Sequence, residues 1–256
     1  MGFSTRKAAR KIVLDFAEMF FVKSGTAMKS SVKLLFVTCC LCALGQVSSS
    51  FASNIDLRGL PDNFDQQTFG QPNTTFYAQS VIADATFMNS AILQLNALNG
   101  DIQFNFLITG GRADGGGGLG FAPDLSNILF NSGQLTAVNG HGLTDFMITP
   151  NLTVVPGARL FLVVESLSYP SSGSGAVEAT AFQGTDHYPP GEFVYINTVP
   201  GDTYATVNMR PWSHRFDFNQ DLAFEANFVP EPATTALLAV GVGGLLLTGL
   251  RRRARR

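Results

Sequence analysis

The chain has 256 residues, and its 17 basic and 19 acidic residues leave a formal net charge of −2. The charges are strongly segregated, because residues 53–229 carry five Arg, no Lys and 16 Asp or Glu, and therefore a net charge of −11. A stretch without lysine or cysteine excludes a P-loop lysine, a Schiff-base lysine, a thiolate nucleophile and a cysteine zinc site. Its acidity argues against nucleic acid as a partner, since phosphate binding needs a basic surface.

Residues 28–52 have the composition of a secretory signal peptide. Lys29 and Lys33 form a short positive region, residues 34–44 form an apolar region of 11 residues, and small residues precede the bond after Ala52. Cleavage by signal peptidase after Ala52 is therefore predicted. The alternative is an uncleaved anchor, but 11 apolar residues are too few to cross ~30 Å of hydrocarbon. Residues 1–27 precede a complete signal, so they are either a misassigned start or an extended basic region.

The C-terminus combines three features in order. A Pro230-Glu231-Pro232 motif comes first, and residues 233–250 follow it without a charge. At ~1.5 Å per residue a helix of that length spans roughly 27 Å, just enough for a bilayer core. A cluster of arginines closes the chain, namely Arg251, Arg252, Arg253, Arg255 and Arg256. Such a cluster stays on the cytoplasmic side, so the preceding domain is expected outside.

These residues resemble the PEP-CTERM sorting signal of Gram-negative bacteria. The resemblance covers residues 229–256 and implies that the chain is a substrate of exosortase, a membrane-embedded, cysteine transpeptidase-like enzyme. It further implies an exported protein with an inner-membrane intermediate, which ends at the cell surface or in the extracellular matrix. Proteins with this signal are typically tied to biofilm or exopolysaccharide production, so exopolysaccharide is a further expected partner. The resemblance implies nothing about residues 53–228.

Residues 53–228 have the pattern of a single all-β domain, in which aromatic and β-branched runs alternate with Gly, Pro and Asn clusters. The predicted strands include 101–109, 146–148, 160–164, 193–196, 204–209 and 222–228. Alternation along 101–109 predicts one buried face, whereas the continuously apolar 160–164 predicts a strand covered on both faces. Residues 110–120 and 169–176 are glycine- and serine-rich and are predicted to be surface loops. Strand spacing near ten residues predicts a two-sheet sandwich.

The order of these segments loosely resembles the jelly-roll domains of bacterial surface proteins and carbohydrate-binding modules. The resemblance rests on four stretches of sequence: 78–81, 152–160, 193–195 and 221–224. It implies a jelly-roll-like sandwich and indicates function only weakly, because one fold hosts many functions.

Two ligand hypotheses follow from local patterns. Asp217, Asn219 and Asp221 alternate, so on a strand their oxygens project from one face and could bind a structural Ca²⁺; the alternative is a polar, solvated strand face. Three aromatic residues near loops could stack on sugar rings, and these are Trp212, Tyr188 and Tyr195. Trp212 is equally compatible with a position in the core.

Taken as a sequence, the chain predicts a secreted, non-enzymatic surface or matrix protein with a structural or adhesive role. A glycan-binding module is the first alternative. An extracellular hydrolase is the second, and it would need clustered carboxylates in a cleft, which the dispersed acidic residues do not indicate. No catalytic residue and no cofactor other than the possible Ca²⁺ is expected.

Overall fold

The computed structural model describes residues 52–60, 64–70, 74–114, 120–180, 186–214 and 220–230. The first six strands are Ser53–Asp56 (β1), Phe64–Gly70 (β2), Thr74–Ile82 (β3), Phe87–Asn99 (β4), Ile102–Ala113 (β5) and Phe121–Ala137 (β6). The other seven are Leu143–Ile148 (β7), Leu152–Thr153 (β8), Arg159–Glu165 (β9), Ser174–Ala179 (β10), Phe193–Asn197 (β11), Ser213–His214 (β12) and Phe224–Val229 (β13). The predicted all-β class is confirmed.

The strands belong to one sheet whose main path has the order β1-β13-β4-β10-β2-β3-β9-β5-β6. Strands β7 and β8 also pair with β4, β11 pairs with β3, and β12 pairs with β11. The β2–β3 pair is parallel and the other named pairs are antiparallel. The sheet curls back on itself, and this brings the ring of Phe104 on β5 to 4.9 Å from that of Phe146 on β7.

Two apolar clusters cover the two faces of the strands around β3, β9 and β11. The central core fills the inside of the curl and includes Phe104, Leu162 and Phe224. The outer core lies on the other face and comprises Phe76, Ala78, Leu107, Ala122, Leu125, Phe161, Val163, Val194, Ile196, Val207 and Trp212. Strand β9 contributes alternate residues to both clusters, which confirms that 160–164 is covered on both faces.

Strand β5 differs from its prediction of a single buried face. Asn105 is 6% exposed and Thr109 is fully buried, although both belong to the polar set of the alternating pattern. The reason is the outer core, which covers the face that alternation assigns to solvent. A buried polar side chain must then find a hydrogen-bond partner, and Asn105 does so in the cluster described below.

The two predicted glycine-rich loops are shorter than expected, because strands extend into them. Strand β5 continues to Ala113, and β10 begins at Ser174. A Cβ on Gly110 would lie 2.4 Å from the Asn127 amide nitrogen, and one on Gly175 would lie 2.0 Å from the Asn96 carbonyl oxygen. These glycines therefore permit close packing between neighbouring strands, rather than marking flexible chain.

The predicted strand 204–209 is wrong, because Tyr204–Asn208 forms a short helix (α1). Thr203 caps it: the Thr203 side chain accepts a bond from the Thr206 backbone nitrogen, and the Thr206 hydroxyl receives one from the Thr203 nitrogen. This reciprocal capping box outweighs the β-propensity of the segment. In the part of the chain that the structure describes, no helix is long and apolar enough to cross a membrane.

Candidate functional site

Asp221 lies three residues before β13 and is only 1% exposed. Its side chain accepts two hydrogen bonds, from the Gln79 amide at 2.7 Å and from the Tyr188 backbone nitrogen at 3.0 Å. Gln79 is fixed in turn, because its oxygen accepts the Leu222 backbone N–H at 2.8 Å. The Asp221 carboxyl therefore joins β3, the entry to β13 and the segment that contains Tyr188.

A second carboxylate approaches the same backbone donor. The Tyr188 nitrogen lies 3.0 Å from an Asp186 oxygen as well as from Asp221, so two acidic groups share one N–H. Burial raises the pKa of Asp221 to about 7, and the nearby Asp186 charge adds to this, while the Gln79 and Tyr188 bonds and His187 oppose it. The cause is physical, since a buried carboxylate loses hydration that two donors do not replace.

The segment 186–192 is pinned to the sheet by its other contacts. The Tyr188 hydroxyl accepts the Ile82 backbone N–H at 2.9 Å. Arg159 donates to the Ser80 hydroxyl at 3.0 Å and to the Pro190 carbonyl at 2.9 Å. A carboxyl that holds a proton near neutral pH, inside a fixed polar network, can act as a proton-dependent joint between these elements.

The predicted calcium ligands are only partly within the described residues. Asp217 and Asn219 lie outside them, and Asp221 is buried rather than on a solvated strand face. Both Asp221 oxygens already accept protein N–H groups. Among the residues that the structure covers, no group of three or more His, Cys, Asp or Glu could hold a metal ion. Calcium binding at this position stays a prediction.

The three predicted sugar-stacking residues do not share a surface. Trp212 is 1% exposed and packs in the outer core, with its ring 5.8 Å from that of Phe76. Tyr188 and Tyr195 are half-buried against the central core, on the opposite face of the sheet. The core alternative for Trp212 is therefore the one that its burial supports. The structure does bring Tyr188 into direct contact with Asp221, a residue of the other ligand hypothesis.

A second buried carboxylate was missed by the sequence reasoning. Glu165, at the end of β9, is fully buried. One of its oxygens accepts the Asn105 amide, the Ser168 hydroxyl at 3.0 Å and the Tyr204 hydroxyl at 2.6 Å. Its other oxygen accepts the Ser168 backbone N–H at 3.2 Å.

Two tyrosines complete the Glu165 cluster. The Tyr169 hydroxyl donates to the Asn105 oxygen at 2.8 Å. Burial raises the pKa of Tyr204, and the negative charge of Glu165 raises it further, so this phenol remains a donor at neutral pH. The one available sequence signal was Asn105, and it did not stand out, because the strand alternates polar and apolar residues.

The predicted processing sites flank the described fold. Ala52 is exposed and directly precedes β1, and Pro230 is exposed and directly follows β13. Glu231, Pro232, the 233–250 segment and the arginine cluster lie outside the described residues, as do residues 1–51. Comparison of the chain with known protein families, with curated proteins and with solved structures finds no match.

Proposed function

We propose that the chain is an exported, non-enzymatic structural or adhesive protein, held in the inner membrane by residues 233–250 and then processed by exosortase. Its body is a jelly-roll-like sandwich built from the two facing regions of the sheet. After processing it belongs to the cell surface or the extracellular matrix of a Gram-negative bacterium, in a biofilm or exopolysaccharide context.

One observation carries this proposal: the sorting motif begins at the residue where the fold ends. Val229 is the last residue of β13, and Pro230 follows it directly. Proline lacks a backbone donor and favours an extended preceding residue, so the motif separates the sheet from the tail. Removal of the tail would cost the body none of its described strands.

The body supports a structural role by how its polar groups are used. Glu165 accepts four hydrogen bonds from neighbouring groups, and both oxygens of Asp221 have protein donors. Groups arranged in this way fix elements of the fold to each other. Catalytic carboxylates, in contrast, need access to a substrate atom.

Processing tests the proposal in the native host. Surface material from cells with and without exosortase is compared by immunoblotting against the body. We expect the wild-type protein to be shorter than the full-length chain in normal cells and to keep its tail in cells without the enzyme.

Two variants sharpen this experiment. The double substitution Pro230→Ala, Pro232→Ala should block the shortening, whereas Val229→Ala, one residue earlier, should leave it unchanged. Equal lengths in the presence and absence of exosortase would refute the proposed processing.

A further inference from the structure

The first and last strands of the described fold are neighbours. Strand β1 pairs antiparallel with β13, so Ser53 lies opposite Phe228. The predicted signal-peptidase site and the predicted sorting motif are therefore attached to the same end of the same strand pair. Both membrane-directed segments leave the body at one place.

The chain between the body and the membrane is short. Three residues, 230–232, separate Val229 from the uncharged 233–250 segment. At ~3.5 Å per residue, the step from Val229 to residue 233 spans at most about 14 Å. The headgroup layer alone is ~5–7 Å thick on each side. The Val229 end of the sheet must then lie against the headgroups for as long as the tail is inserted.

Uncharged side chains make up most of the surface at this end. One exposed carboxylate, Asp84, lies beside them, because Ala83 and Thr86 form backbone hydrogen bonds with residues 154–158. Val229, Phe87 and Thr153 lie side by side on β13, β4 and β8. The chain continues from Thr153 to Val155, which is 73% exposed and lies ~17 Å or less from Val229, from two strand spacings and two residues. Residues 150–158 contain no charged side chain.

We propose that residues 150–158 rest on the outer surface of the lipid bilayer while the chain is tethered, with Val155 inserted among the headgroups. This inference rests on the proposed function, in which 233–250 spans the membrane. The partner is a lipid surface, because the short connection leaves no room for a separate protein layer. Residues 150–158 carry no charge in a body with a net charge of −11, so they are the part of this end best suited to a lipid surface.

The charged groups near β1 lie towards the other end of the strands. Arg58 forms ion pairs with Asp56 at 3.0 Å and with Asp145 at 2.7 Å, and it also contacts Glu225. Glu225 is four residues before Val229 on β13. This ion-pair cluster therefore lies away from the proposed membrane contact.

Single-cysteine labelling tests the contact in the full chain. The natural cysteines, Cys39, Cys40 and Cys42, all lie in the signal segment and are replaced by Ser. Val155→Cys is compared with Leu98→Cys. Leu98 is 46% exposed in the native protein, and it lies ~33 Å along β4 from Met88, where β4 pairs with β8. The host lacks exosortase, and a membrane-impermeant maleimide is added to spheroplasts.

We expect the cysteine at 155 to react about tenfold more slowly than the one at 98, the factor expected for burial of a valine-sized side chain. In detergent both should react at similar rates, because the bilayer is then gone, and resistance of both variants to limited proteolysis checks that they are folded. A Gly/Ser linker of about 12 residues between Val229 and Pro230 has a mean span of ~20 Å and should restore labelling at 155.

Three results would overturn the proposed membrane contact, and they differ in what else they overturn. Extraction of the full chain by alkaline carbonate would show that 233–250 is not inserted, which overturns the tether and this inference together. A membrane-inserted chain with equal labelling at 155 and 98 overturns this inference alone. Protection at 155 that persists with the linker would show that something other than the tethered bilayer covers it, and would also overturn the inference.

Discussion

Glu165 and Asp221 are both buried carboxyl groups, 0% and 1% exposed, yet their surroundings differ. Glu165 accepts four hydrogen bonds, three of them on one oxygen. Asp221 accepts two and shares one of its donors with Asp186. The comparison indicates that donors and neighbouring charges, rather than burial alone, decide what a buried acid does. Glu165 gathers donors from three parts of the chain, whereas Asp221 can hold a proton near neutral pH.

Removal of Glu165 should have the largest effect. Glu165→Ala takes the acceptor from Asn105, Ser168 and Tyr204 and leaves a cavity, so the free energy of unfolding should fall by roughly 5 kcal/mol. Urea denaturation followed by fluorescence measures this change. Glu165→Gln keeps one acceptor oxygen and should cost less, and Asp145→Ala, at an exposed carboxylate, should change stability little. Equal losses for Glu165→Ala and Asp145→Ala would remove the distinction between the two environments.

Asp221 should make stability depend on pH. Its pKa in the folded protein is about 7, against 3.8 as its ordinary value. The folded state therefore binds a proton between these values that the unfolded state has released. The contribution of Asp221 to the free energy of unfolding is complete below about pH 4, falls as the pH rises and is lost above about pH 7. The total change is at most about 4 kcal/mol.

The variant Asp221→Asn isolates this contribution, because it cannot ionise. The difference in unfolding free energy between wild type and variant should move in favour of the variant as the pH rises from 4 to 8. Asp84→Asn, at an exposed carboxylate, serves as the control. A wild-type pH profile parallel to that of Asp221→Asn would contradict a proton on Asp221.

Removal of the Tyr204 hydroxyl tests how much one hydrogen-bond donor to Glu165 contributes to stability. Tyr204→Phe removes the 2.6 Å bond to Glu165 while keeping the ring that packs edge-on against Phe76. The expected loss is about 2 kcal/mol, as for other hydrogen bonds to charged groups. Thermal or urea unfolding measures it, with Tyr195→Phe as a second tyrosine variant for reference. A loss no greater than that of Tyr195→Phe would mean that the Glu165 cluster adds little to stability.

The calcium hypothesis predicts that excess chelator lowers the melting temperature, since an ion that binds only the folded state stabilises it. The two N–H donors on Asp221 would compete with such an ion for its oxygens. Differential scanning fluorimetry with EDTA, and with added Ca²⁺, measures the effect. A clear fall with EDTA that Ca²⁺ reverses would restore Asp217, Asn219 and Asp221 as a metal site.

Sequence patterns predicted the strands well where a single physical signal dominated. The apolar run 160–164 and the aromatic run 193–196 became β9 and β11, because continuous or aromatic-rich β-branched segments fit only a covered sheet. The pattern failed at Asn105, whose burial depends on the outer core, and at Tyr204, whose helix depends on the Thr203 cap. The burial of Asn105 depends on residues far away in the sequence, and the helix at Tyr204 depends on the local hydrogen bonds of the cap.

The candidate site was predictable only in fragments for the same reason. Asp221 and Tyr188 stood out individually, but their contact joins residues 33 positions apart. Glu165 gave no local signal, since its donors come from β5, the 166–169 turn and α1. Non-local convergence of this kind cannot be derived from periodicity, which reports only which face a residue occupies.

The central claim is that the sheet is an exported unit, cut free of both membrane-directed segments at its neighbouring ends. Intact-mass spectrometry of the protein from the surface of its native host tests this most directly. The account predicts a mature chain that begins at Ser53 and lacks residues 237–256, with β1 and β13 complete. Recovery of most molecules with an intact Arg256 terminus would contradict it and would show that the tail is a permanent anchor.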